Sequence, residues 1–388
     1  MWEESGYWRY DWDTSGSTKG NHVIKITAQD ENGNSASLTR NVYCHPEMEV
    51  SEIGFLDGHN LWQRSNTPAN DFQILPPQWQ PGWINPVAYT IGSQMTIRPK
   101  IESSDVTGSV YVSYDVGATW KDSNNVAVGT YVVEKAMQTS GFPCYLNHYP
   151  TAPGRVMDYV LDQSYHLYVR KSLNSDWCPA GTTNATHSEI YLTFGDPIGP
   201  WGPSGTPRCC WSQVISEACE GIPEPGYTWS EKLDARKKLT EVAYWRCYKD
   251  YNGDESHYPD ARFNMWTFWS VDDWADCRDM SAWWVKLCNS VGLNGQVQRI
   301  IGGFNTKDMD PIGDPSRFDP SWSGAWDDTS WNYHQVGHYS NVFDGCARLK
   351  PSAPRVPQNE PIDGTYKTDL YSSGTWSPQT PVNIQEVN

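Results

Sequence analysis

Three residues far apart in the 388-residue chain could together do thiol chemistry: Cys277, His334 and Asp344. Cys277 stands between Asp276 and Asp279 in WADCRDMSAWWVKLCNSVG, residues 274–292, just before a run with helical periodicity. The thiolate is the reactive form of cysteine, and unpaired N–H groups at a helix start lower its pKa. Such a thiolate needs a base or imidazolium partner, itself oriented by a carboxylate. The histidines downstream are His334 and His338, both within WNYHQVGHYSNVFDGCARL, residues 331–349, which reads as a hairpin. If His334 begins the first strand and Asp344 ends the second, antiparallel pairing sets them opposite each other. The turn then falls around Gly337 to Asn341 and takes up His338. Asp276 and Asp279 stabilise the helix N-terminus, but their charge opposes formation of a thiolate beside them.

The elements that must hold these residues are legible around them. After Asp276, residues Cys277, Met280, Trp284, Leu287, Cys288 and Val291 share one helical stripe, and Gly292 stands where the helix stops. An earlier helix opens at Thr228-Trp-Ser-Glu231, which has capping-box spacing, and carries Ala235, Leu239, Val242, Ala243 and Cys247 at helical intervals. GQVQRIIGG reads as a strand between the Cys277 helix and the hairpin. Helices followed by strands give an α+β domain over residues 225–350. Residues 351–388 read as an extended Pro-rich tail, and 196–224 as a Pro/Gly/Cys linker.

The N-terminal half has a different period. From 45 to 195, short β-branched or aromatic runs such as GSVYVSYDVG, SYHLYVRK and SEIYLTFG alternate with turn residues and predict a β-sandwich of immunoglobulin type, which Cys144 and Cys178 could staple. In residues 1–44, Ile24, Ile26 and Ala28 alternate with Lys25, Thr27 and Gln29 as in a half-buried strand, and Asn32-Gly33 supplies a turn. With WRYDWDTSGSTKGNH before the strand and D-x-x-G-N after it, the stretch resembles the last strands of bacterial immunoglobulin-like repeats, which implies a partial immunoglobulin-like module, short of the roughly 100 residues of a whole sandwich; it reads equally as a β-ribbon packed on the next domain. Its incomplete sheet offers a surface for self-association.

A formal charge of −17 disfavours partners that are nucleic acids or anionic lipid surfaces. No apolar run is long enough to span a bilayer. The 10 cysteines lack the paired spacing of a zinc site, and some are expected as disulfides formed outside the cytosol. Asn184-Ala185-Thr186 matches a glycosylation acceptor, and residues 1–12 lack the basic start and apolar segment of an export signal, so an exported chain would already have lost it or be a fragment. The expected location is extracellular or at the cell surface. Asp250, Asn252 and Asp254 echo the start of a calcium loop, although Ala261 occupies the position of its bidentate Glu. Asp308 and Asp310, with Asp314 and Asp319 beyond them, form a second acidic stretch that could take calcium.

The order of a helix-initiating Cys in D-C-x-D, the run N-S-V-G-L, a strand, an aromatic-His and a later V-F-D resembles the transglutaminase-like superfamily, within the papain-like cysteine fold. The resemblance spans roughly residues 225–350. It does not explain the N-terminal half; taken with the β-rich reading of that half, the expected fold is multidomain, with immunoglobulin-like all-β parts followed by an α+β transglutaminase-like domain. The resemblance further implies Cys277 as nucleophile, His334 as general base and acid, and Asp344 as the residue orienting the imidazole. The oxyanion donors would be the Cys277 backbone N–H and Trp269. Family members commonly follow the histidine with a small residue and Trp; here Gln335-Val336 stand instead. The implied activity is acyl transfer or amide hydrolysis through a thioester on a protein or peptide substrate, with no cofactor required. The alternative is a non-catalytic extracellular adhesin or filament or matrix subunit using the same domain as a scaffold.

Overall fold

The computed structural model describes residues 2–4, 7–9, 20–44, 47–64, 71–104, 109–199, 209–245, 250–251, 262–263, 265–270, 274–312, 330–351 and 353–386. Among them the chain is β-rich, with several separate sheets. At the N-terminus, β1 (Gly20–Gln29) and β2 (Ser35–Cys44) form an antiparallel hairpin. The loop between them is closed by Asp30, whose Oδ1 accepts the N–H groups of Asn32 and Asn34, while Gly33 takes φ +83°. The alternation expected of a half-buried strand is present, but the burial is not: Ile26 is 52% and Leu38 48% exposed. A two-stranded ribbon has no second layer to cover either face.

The next strands are β3 (Glu49–Leu56), β4 (Trp79–Gln80), β5 (Trp83–Ile84), β6 (Val87–Thr90), β7 (Thr96–Glu102), β8 (Val110–Lys121), β9 (Ala127–Thr139), β10 (Cys144–Tyr145), β11 (Met157–Arg170) and β12 (Cys178–Thr193). They make two five-stranded sheets, ordered β6-β12-β11-β8-β9 and β10-β7-β3-β4-β5. Long strands such as β8 and β11 alternate buried and half-buried positions, the period-2 signature of a sheet covered on one face. Inward residues of both sheets, among them Phe55, Ile97, Tyr114 and Leu167, belong to one core. The staple expected between Cys144 and Cys178 is not formed, and both are thiols. One sits on the edge strand β10 of the second sheet and the other opens β12 of the first.

Helices follow: α1 (Ser212–Glu220), α2 (Lys232–Trp245), α3 (Met265–Ser270) and α4 (Cys277–Ser290). The α1 helix lies inside the segment expected to be a linker. Its Val214, Ile215, Ala218 and Cys219 are buried, spaced to put one apolar face on the sandwich and on α4. The Thr228–Glu231 capping box forms as the sequence predicts, on a 3-10 turn that runs into α2. In α4, burial goes all round rather than along the expected stripe, because the helix is enclosed on every side. Its C-terminal end is tied to the end of β12 by the Phe194 N–H to the Val291 carbonyl and the Ile198 N–H to that of Asn289, both at 2.9 Å.

The last sheet is built from β13 (Gln296–Thr306), β14 (Ser330–Tyr339), β15 (Asn341–Phe343), β16 (Gln358–Glu360), β17 (Tyr371–Gly374) and β18 (Ser377–Pro378), with α5 (Thr365–Leu370) between β16 and β17. Its order is β16-β15-β14-β13-β17, and β18 also pairs with β13. Residues 351–388, expected as an extended tail, thus supply three strands and a helix to this sheet. Short elements among Pro and Gly carry no periodicity long enough to read. The turn of the β14–β15 hairpin is Ser340, at φ +61°, so His338 lies in β14 opposite Val342 rather than in the turn.

The sheet meets α4 at close range. The Phe343 ring stacks on Trp284 at 4.9 Å, and Gly337 leaves room for the same indole. A Cβ on Gly337 would lie 2.4 and 2.7 Å from Trp284 ring atoms. Gly337→Ala is therefore expected to cost about 1–3 kcal/mol by overpacking. Urea unfolding should show a lowered midpoint with unchanged slope.

Candidate active site

The start of α4 is fixed by its own carboxylates. Asp276 is the N-cap: its Oδ1 accepts the N–H groups of Arg278 at 2.7 Å and Asp279 at 3.1 Å, and the Asp279 carboxylate accepts the Asp276 N–H in return. This reciprocal cap satisfies N–H groups that a helix start otherwise leaves open. It also places Cys277 at the first helical position, buried and facing β14. There the Gln335 backbone N–H is directed at the thiol and favours its charged form. Burial and the Asp276 charge act the other way and push the Cys277 thiol well above its ordinary value, with Asp344 adding to the effect. Burial, and then the charge of Asp279, also lift Asp276 to about 6, despite an Arg278 Nε ion pair at 2.7 Å.

On the sheet, His334 and Asp344 meet. His334 Nε2 lies 2.9 Å from Asp344 Oδ2, with both side chains buried. The pairing is diagonal rather than directly opposite. Gly337 faces Phe343 in the hairpin register, so continuing it would bring His334 across from Cys346 and Asp344 across from Val336. Diagonal neighbours sit about 7–8 Å apart at Cα, within reach of side chains of this length. Asp344 Oδ1 accepts the Cys346 N–H at 2.9 Å, and Oδ2 also accepts the Tyr366 hydroxyl at 2.8 Å.

The strand pleat sets the limit of the assembly. On β14, Gln335 and Gly337 face α4: the Gln335 amide donates to Ser281 Oγ at 2.8 Å, and Gly337 abuts Trp284. His334 and Val336 face the other side, where Val336, Ile300, Val342 and Tyr366 form the second core and the Trp331 ring lies 4.5 Å from the imidazole. Among the described residues, His334 Nδ1 is buried without a hydrogen-bond partner. The fold thus brings the thiol to the backbone of the residue next to His334 and joins His334 to Asp344, while the thiol–imidazole hydrogen bond is not made.

The remaining expected residues are placed elsewhere. Trp269, on α3, packs its half-exposed ring on Trp283 at 5.1 Å. Trp283 lies about 120° round α4 from Cys277, so that contact is on a different face from the thiol. Asp310 is held by Arg348 and by Lys350 at 2.5 Å, and Asp308 lies 3.4 Å from the same Lys350, so two cations of the chain already engage this acidic pair. The backbone of Asp250 is in a short strand paired beside Trp274. Asn252, Asp254, Asp314 and Asp319 lie outside the described residues. Among the described residues no group of three metal-ligating side chains gathers. Tyr366, which sequence reasoning missed, completes the Asp344 environment. Its one signal was the Tyr366–Leu370 spacing of four, a single buried turn in a Pro/Gly-rich stretch.

No protein-family model matches the chain, and no curated protein matches it. Among solved structures, the Pseudomonas fluorescens alkylpurine DNA glycosylase AlkC, bound to DNA containing an abasic-site analogue, aligns at 11% identity and a TM-score of 0.18, over 36% of this chain and 31% of that one. Similarity at that level does not amount to a shared fold.

Asp276→Asn keeps a good N-cap while removing a negative charge that disfavours the thiolate. The thiol pKa should fall. Alkylation of Cys277 by iodoacetamide, followed against pH, should turn on at lower pH than in the parent chain; an unmoved midpoint would clear Asp276 of that role.

Proposed function

We propose that residues 225–386 form a transglutaminase-like domain behind immunoglobulin-like β modules, and that the chain performs acyl transfer or amide hydrolysis through a thioester at Cys277. The observation that carries this reading is the buried His334–Asp344 pair, whose free Nδ1 sits one residue along the strand from the backbone N–H that meets the thiol. In the reaction His334 Nδ1 takes the Cys277 proton, and sulfur attacks the amide carbonyl carbon. The C–N bond breaks, and the leaving amine collects the proton from His334. An incoming amine or water then gives a proton to His334, attacks the thioester carbonyl and expels the thiolate, which recovers that proton. The Cys277 backbone N–H, at a helix start, is available to the developing oxyanion. Bound substrate would have to close the gap between thiol and ring, since the resting thiol is buried and held protonated. An acidic surface, a protein or peptide substrate and an extracellular or cell-surface setting belong to the same proposal. Calcium is not needed for the chemistry.

The pleat that turns His334 away from α4 favours a second reading, a non-catalytic adhesin or filament subunit in which the domain is a scaffold. The open N-terminal hairpin would then serve self-association, since unpaired strand edges accept a neighbour's strand.

Iodoacetamide labelling at pH 7 with peptide mapping separates the two. The enzymatic reading expects Cys277, buried and protonated at rest, still to be alkylated ahead of the equally buried Cys219, Cys288 and Cys346, with the rate falling at least tenfold in His334→Ala, in line with the usual 10²–10⁴ contribution of general acid–base catalysis. A Cys277 that reacts no faster than those three buried thiols, or no slower in His334→Ala, leaves the scaffold reading in place.

A further inference from the structure

We propose that Tyr366 is a positioning residue which, acting through Asp344, fixes the ring nitrogen of His334 that carries the proton. The C-terminal segment is then a working part of the site. The use of that tautomer in thiol chemistry rests on the function proposed above; the tautomer itself does not.

A carboxylate accepts hydrogen bonds and has none to give. The groups around Asp344 must therefore donate: the Cys346 N–H to Oδ1, and both the Tyr366 hydroxyl and His334 Nε2 to Oδ2. Nε2 carries the proton, and Nδ1 is left as a bare lone pair. The opposite tautomer would bury an N–H at Nδ1 with no acceptor and turn a lone pair against the carboxylate, and both changes are costly in a dry interior. The torsion that turns a carboxylate about its own axis is broad, so nothing intrinsic to Asp344 holds Oδ2 toward the ring. Besides the Cys346 N–H on Oδ1, the C-terminal segment supplies two anchors: the Tyr366 hydroxyl, on Oδ2 itself at 2.8 Å, and the Pro357 carbonyl, which accepts the Asp344 backbone N–H at 3.0 Å and steadies the residue's main chain.

That segment is itself pinned. Strand β16 pairs with β15, and β17 and β18 pair with β13. Arg355 Nη2 bridges Glu360 at 3.0 Å and Asp369 at 2.7 Å, linking β16 to α5. The Leu370 carbonyl accepts the Lys307 N–H at 2.7 Å. Tyr366 thus reaches Asp344 from a helix fixed at both ends, on the face of the sheet opposite α4.

The test is NMR of the intact chain with ¹⁵N-labelled imidazoles, read as long-range ring ¹H–¹⁵N correlations, beside the pH profile of Cys277 alkylation. The wild-type chain should show His334 as the single Nε2–H form. Tyr366→Phe should lose that single form and slow alkylation about tenfold, the scale of one hydrogen bond to a charged group. Tyr371→Phe removes a hydroxyl from the same segment, bonded to the Gly374 carbonyl at 2.6 Å, and should change neither signal. An unchanged His334 pattern in a folded Tyr366→Phe chain overturns the proposal. So does a wild-type His334 in the Nδ1–H form, even where the variant does not fold. Should Cys277 be unreactive in every chain while Tyr366→Phe still changes the tautomer, the positioning role stands and only the acyl-transfer function fails.

Discussion

The Asp344 carboxylate is the interaction on which the site depends. A buried carboxylate without donors is prohibitively costly, and here three donors from three places meet it: the imidazole of β14, the N–H of Cys346 and the hydroxyl of Tyr366 on α5. Satisfying one group orders the hairpin and the C-terminal helix together and gives His334 a defined orientation. The unpartnered Nδ1 is the residue of this arrangement. Buried polar atoms with no partner are uncommon in folded proteins, and they concentrate where chemistry occurs.

Around Cys277 two demands pull against each other. The helix start needs capping carboxylates, and Asp276 and Asp279 supply them, but burial of the thiol and the charge of Asp276 favour the neutral sulfur. The Gln335 N–H offsets only part of this. A thiol so placed is quiet at rest. Under the acyl-transfer function proposed above, its activation would depend on an imidazole taking the proton as the sulfur attacks, and on a substrate that alters the packing between α4 and β14.

The sequence made the Cys277 helix, the capping box before α2, the strands of the β-rich half and the His334–Asp344 encounter legible, because each is written in periodicity or in a short local pattern. What could not be read depended on neighbours remote in the chain. Which face of β14 turns to α4 is decided by Gly337 against Trp284, a fit invisible without both partners. The diagonal His–Asp register follows from a turn centred on Ser340, one positive-φ residue that propensity does not single out. Tyr366 lies among prolines and glycines, in a helix of six residues that nothing but its tertiary contacts stabilises. The two halves also read as separate modules, whereas α1 and α4 lie in a core continuous with the sandwich.

That continuity has a thermodynamic consequence. Phe55 and Tyr114 of the sandwich, Val214 of α1 and Trp284 of α4 belong to one apolar cluster, so parting the sheets from the helices would wet surface on both sides at once. Neither half keeps a finished exterior to retreat to. Heat should therefore meet a single cooperative unit across these residues, one calorimetric peak, while the exposed β1–β2 ribbon, outside that cluster, should fray at little cost.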